Sequence, residues 1–94
     1  MDLQEFKEMG RMHGLIHLQA YNELYGEGNV KVLLEYGDFD SEENKEKEHK
    51  IEAEGFRFIE ENMFGTFGED RLTGKIVIFL KNGIEEKPDS EANN

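Results

Sequence analysis

Five consecutive apolar residues, Ile76-Val77-Ile78-Phe79-Leu80, held between Lys75 and Lys81, constrain the fold of this chain more than any other stretch. The run is β-branched and aromatic and is closed by Asn82-Gly83, a combination that predicts a strand. A strand with one face in water alternates apolar and polar positions, whereas one that is apolar throughout is central in its sheet or buried on both faces. Five residues also fall far short of the ~20 needed to cross a bilayer as a helix. The run therefore belongs to a protein core.

With 94 residues the chain has room for one such core and not for two. A single compact domain over residues 1–84 is expected. Residues 85–94 contain Ala92 as their one apolar side chain and are expected to form a disordered acidic tail. There is no cysteine, so disulfides, thiolate metal sites and thiol nucleophiles are excluded together. The N-terminus carries Asp2, Glu5 and Glu8 where a secretory leader needs basic and then apolar residues. These features together lead to the expectation of a soluble cytoplasmic protein, or one of the host cytoplasm if its origin is viral.

Four further segments can be read from periodicity. Leu3, Phe6, Met9, Ile16, Ala20 and Leu24 recur near 3.6 residues and predict an amphipathic helix, with Gly10 and Gly14 as sites of a kink or break. Leu15–Leu24 also reads as a strand turning back through Gly26–Asn29. Val30–Tyr36 is a strand between two glycine turns. Ser41 is an N-cap ahead of Glu42 and Glu43, and the helix it starts is expected to continue with Ile51, Gly55, Phe58, Ile59 and Asn62 on one face. Gly65-Thr66-Phe67 is expected to pair antiparallel with the apolar strand through a Glu69–Thr73 loop. The fold class is thus α+β, two helices packed on a short, mostly antiparallel sheet of about three strands. Its core is expected from Phe6, Val32, Leu34, Phe58, Ile59, Ile76, Ile78 and Leu80.

Charge narrows the function. Twenty-two acids against 11 bases give a net charge of −11, which repels nucleic acid and anionic membranes and attracts basic surfaces. Residues 38–62 alone hold ten acids and four bases. Asp38, Asp40, Glu42, Glu43, Glu46, Glu48, Glu52 and Glu54 form the densest group. Carboxylates along a helix and its leading loop offer anionic oxygens to Lys and Arg much as successive phosphates do. These eight residues are the candidate partner-binding site. The plain alternative for a charge run is a solvated helix face.

Motifs for chemistry are weak by comparison. His13 and His17 stand four apart, as in metal-binding helices, but residue 14 is Gly where a zinc protease helix carries its Glu, and no third ligand is implied. Counting a calcium loop from Asp38, the sixth position is Glu43 instead of Gly and the twelfth is His49 instead of Glu. Gly65, Gly68 and Gly74 lack the Lys-Ser/Thr of a phosphate cradle. No catalytic residue, metal site or cofactor is therefore expected, and the chain is read as a non-enzyme.

In size, acidity and absence of cysteine the chain resembles small phage inhibitors of nucleic-acid enzymes, such as uracil-DNA glycosylase inhibitors and anti-CRISPR proteins, and bacterial immunity proteins against nucleases. The resemblance is one of composition and involves no shared motif. It implies an inhibitor, a nucleic-acid mimic that occupies the nucleic-acid site of a basic protein, for example a nuclease. The rival expectation is a housekeeping or structural interaction module that forms a homodimer through its sheet.

Overall fold

A computed structural model describes residues 1–37, 39–69 and 71–87 of the chain. Among them lie α1 (Leu3–Tyr25), β1 (Val30–Tyr36), α2 (Glu42–Ala53), β2 (Phe56–Phe67) and β3 (Leu72–Lys81). The strands form one antiparallel sheet in the order β1-β3-β2. The α+β class and the central position of the apolar strand are as expected.

Alternation along β3 sends its side chains to two faces, and each face has its own helix. Ile76, Ile78 and Leu80 join Val30 in a core covered by Leu18, Tyr21 and Tyr25 of α1. Val77 and Phe79 join Phe56 in a smaller core covered by Ile51 of α2. This explains why β3 carries no polar residue between Lys75 and Lys81. The molecule has three layers, helix on sheet on helix.

Asp2 fixes the start of α1 by a reciprocal cap. Its carboxylate accepts the Glu5 N–H at 2.8 Å, and the Glu5 carboxylate accepts the Asp2 N–H at 3.3 Å. The helix then runs unbroken to Tyr25, so neither the break at Gly10 and Gly14 nor a strand over 15–24 occurs. Both glycines are buried on the face that meets the sheet. A Cβ at Gly10 would stand 2.5 Å from Phe64 Cζ and 2.6 Å from Tyr36 Oη. Close approach of helix to sheet, with the aromatic packing it allows, outweighs the helix propensity lost at glycine. Gly10→Ala should therefore lower stability by ~1–3 kcal/mol through overpacking, although Ala alone favours a helix by ~1 kcal/mol. A rise in the thermal unfolding midpoint of that variant would contradict the close contact.

The helix begun at Ser41 is shorter than its periodicity implied. The Ser41 hydroxyl accepts the Asn44 N–H at 3.2 Å, but the helix ends at Ala53 and β2 begins at Phe56. Gly55 makes the change at φ +99°, in the left-handed region, and its carbonyl accepts the Asn82 N–H at 2.8 Å. Pairing with β3 decides the conformation of Phe56–Asn62. Register shifts at Ile59 and Phe64 turn both of those side chains toward the α1 core. The expected Gly65-Thr66-Phe67 pairing is present, opposite Gly74, Thr73 and Leu72.

Phe6, Ile76, Ile78 and Leu80 are buried as expected, and Val32, Leu34 and Ile59 are partly buried against them. Phe58 is the exception at 50% exposed. It lies on an outer strand of the sheet, where its ring makes an edge contact with Phe79, 6.4 Å between ring centres. Phe6 anchors the other end of the molecule, its ring 5.3 Å from Phe64, 5.5 Å from Phe67 and 6.0 Å from Tyr36.

Candidate functional site

The acidic segment divides when it is placed on the fold. Asp38 lies outside the described residues. Asp40, Glu42, Glu43, Glu46, Glu52 and Glu54 are exposed, on α2 and at its two ends. Lys45, Lys47 and Lys50 share that surface, and Lys47 approaches Glu43 to 3.5 Å. Glu54 meets Lys31 of β1 at 2.5 Å, and the lysine holds its carboxyl below the usual range by hydrogen bond and charge. Glu42, Glu46 and Glu52 project from a helix that is capped at its start and anchored to the sheet by Ile51.

Glu48 departs from the solvated position expected of it. It is half-buried on the side of α2 that faces the sheet, against Glu35 of β1. Glu35 is wholly buried, and neither of its carboxylate oxygens accepts a hydrogen bond from an N–H or hydroxyl donor. Burial first, then the hydrogen bond and charge of Glu48, push its carboxyl up to about 7, against an opposing pull from Lys75. At neutral pH Glu35 is partly protonated, and in that form it can donate to Glu48.

Lys75 completes this cluster from β3, directly opposite Glu35 in the strand register. Its ammonium lies 3.7 Å from Glu35 Oε1, 2.9 Å from Glu61 Oε2 and 4.3 Å from the centre of the Phe39 ring. Burial lowers the basicity of this lysine, but Glu61, Glu35 and Glu48 outweigh it and raise the net value. Sequence reasoning missed the cluster because its members come from β1, α2, β2 and β3. The available signal was a Glu and a Lys flanking two apolar runs, residues 32–34 and 76–80, which only the register brings together.

His13 and His17 are occupied in packing. The His17 Nδ1–H donates to the His13 carbonyl at 2.8 Å, and the His13 ring stacks on Phe64 with 6.1 Å between centres. Among the described residues no three His, Asp or Glu side chains are placed to share a metal ion. Likewise, among these residues no helix is long and apolar enough to cross a membrane. No known protein family, curated protein or solved structure matches the chain.

Proposed function

We propose that this chain is a non-enzymatic acidic binding protein, an inhibitor that sets the outer face of α2 and the loop before it into the basic nucleic-acid site of a partner such as a nuclease. The observation that carries the reading is the exposure of Glu42, Glu46 and Glu52 on a helix that is capped by Ser41 and packed on the sheet through Ile51. A preformed helix presents its carboxylates to Lys and Arg with the backbone already ordered before binding. The net charge of −11 adds long-range attraction that speeds encounter with a basic surface.

The test begins with affinity capture of the partner from the native host at low salt and its identification. Binding should then weaken steeply as ionic strength rises. Reversing Glu42, Glu46 and Glu52 to Lys should abolish it while moving stability by only ~0.5 kcal/mol at the exposed Glu46 and Glu52 and by ~1 kcal/mol at Glu42, where a Lys in the first turn opposes the helix dipole. Glu48 is left intact in this variant because it also supports the buried cluster. Retained affinity after the triple reversal would refute the reading.

One observation favours a second reading, assembly through the sheet. Strand β2 lies at an edge of the sheet and leaves Phe58 and Met63 exposed. Sedimentation at several concentrations separates the two, since a sheet-mediated dimer would persist in high salt.

A further inference from the structure

The outer face of α1 carries apolar side chains that the fold does not use. Met12, Leu15 and Ile16 are 63%, 55% and 59% exposed, and lie opposite the face of Phe6, Gly10 and Gly14 that meets the sheet. Scattered exposed apolar residues are ordinary, but these three are neighbours at i, i+3 and i+4. Met12 also borders a shallow, open depression at the start of the helix, together with Met1, Met9, Asp2, Glu5 and Glu8. Unbranched, polarisable methionine side chains adapt to varied partners and are favoured on such surfaces.

The charges around this strip identify what it can receive. At 3.6 residues per turn, Glu5 and Glu23 stand five turns apart on one line of the helix, and Met12 and Ile16 lie within about 20° of that line. Glu5, Glu8 and Glu23 are all exposed, so the strip has an apolar middle and acidic ends. Glu8 also meets Arg11 at 3.1 Å, an exposed pair that contributes little to stability, so a partner's Lys or Arg can take the place of Arg11 at little cost. A second copy of the chain does not fit, because pairing two α1 helices in either direction sets Glu against Glu.

We propose that the outer face of α1 docks an amphipathic helix of a partner protein, one with an apolar centre and Lys or Arg at both ends. The strip from Glu5 to Glu23 spans about 27 Å at 1.5 Å per residue, the length of a five-turn helix. Glu5, Glu8, Met12, Leu15 and Gln19 follow the three-four spacing by which two helices pack along a shared seam; Met12 and Leu15 are its apolar centre, with Ile16 beside them. This surface is separate from the outer face of α2, and the proposal does not depend on the inhibitor reading.

The test uses two synthetic 20-residue helical peptides with the same leucine stripe, one ending in lysines and the other in glutamines, titrated calorimetrically into the full chain. The lysine peptide should bind, and the glutamine peptide should bind at least about tenfold more weakly. Replacing Met12, Leu15 and Ile16 together by Ser should weaken the lysine peptide by about tenfold or more with circular dichroism unchanged. Changing Glu5, Glu8 and Glu23 to Gln should remove most of the salt dependence, and Gln at position 5 preserves the helix cap. The Gln variant of Glu42, Glu46 and Glu52 should bind as the parent does. Four results would overturn the proposal. These are no binding at millimolar peptide, full affinity in the Ser variant, loss of affinity only in the α2 variant, or a wild-type dimer that the Ser variant dissociates.

Discussion

Truncating Ile78 to Ala should reduce the free energy of unfolding by about 2–5 kcal/mol, the range for a large-to-small change at a buried site. Ile78 is fully buried in the middle of β3, paired with Val32 on one side and Glu60 on the other. It packs in the core that α1 covers, and its removal leaves a cavity between sheet and helix that two rigid elements cannot collapse to fill. A domain of this size has a total stability of roughly 5–15 kcal/mol, so the variant sits near the limit of folding. Each kcal/mol lowers the melting midpoint of a small domain by roughly 4–8 °C, which calorimetry resolves easily. Phe58→Ala is the matched control, because a ring that is half in water gives up much less on removal. Equal losses in the two variants would show that the two-faced burial of β3 is not what stabilises the fold.

The same contrast separates what the sequence reveals from what it conceals. Ile76–Leu80 is legible because no amphipathic pattern fits five apolar residues in a row, so only a buried strand remains. Ser41 is legible because a cap acts within one turn. Phe56–Asn62 is not, because Ile51, Phe58 and Ile59 fit a helical period as well as a strand with a bulge. The choice is made by β3, a partner that lies more than ten residues away in the sequence. Gly10 and Gly14 mislead for a related reason. Propensity treats a glycine in a helix as a weakness, while here the missing Cβ admits Phe64 and Tyr36 at Gly10 and Leu34 at Gly14. In the acidic segment, counting charges finds the surface but not its orientation. Glu46 and Glu48 look equivalent in the sequence, yet two residues of helix turn one to water and the other toward Glu35.

That orientation makes stability depend on pH in a direction opposite to the one usual for a salt-bridged acid. Below about pH 4.5, the value for a free Glu, Glu35 is protonated in the folded and the unfolded chain alike, and its burial brings no charge into the sheet. Between there and about pH 7 the unfolded chain releases this proton while the folded chain retains it, so unfolding becomes easier as pH rises. The loss levels off above that range at about 3 kcal/mol, from 1.36 kcal/mol for each pH unit between the two values. The groups that face Glu35 are Glu48 from α2, which opposes its ionisation, and Lys75 from β3, which favours it but is shared with Glu61 of β2. Glu35→Gln replaces the neutral acid with an amide of similar shape that cannot ionise. Urea unfolding should therefore find the variant close to wild type at pH 4.5 and more stable by up to about 3 kcal/mol at pH 8.5. Glu48→Gln should act from the other side, removing the like charge and letting the Glu35 transition fall to lower pH. Because the remaining acids titrate in both proteins, the difference between wild type and Glu35→Gln isolates the one carboxyl. Two stability curves that stay parallel from pH 4.5 to 8.5 would mean that Glu35 remains ionised throughout, held by Lys75 despite its burial.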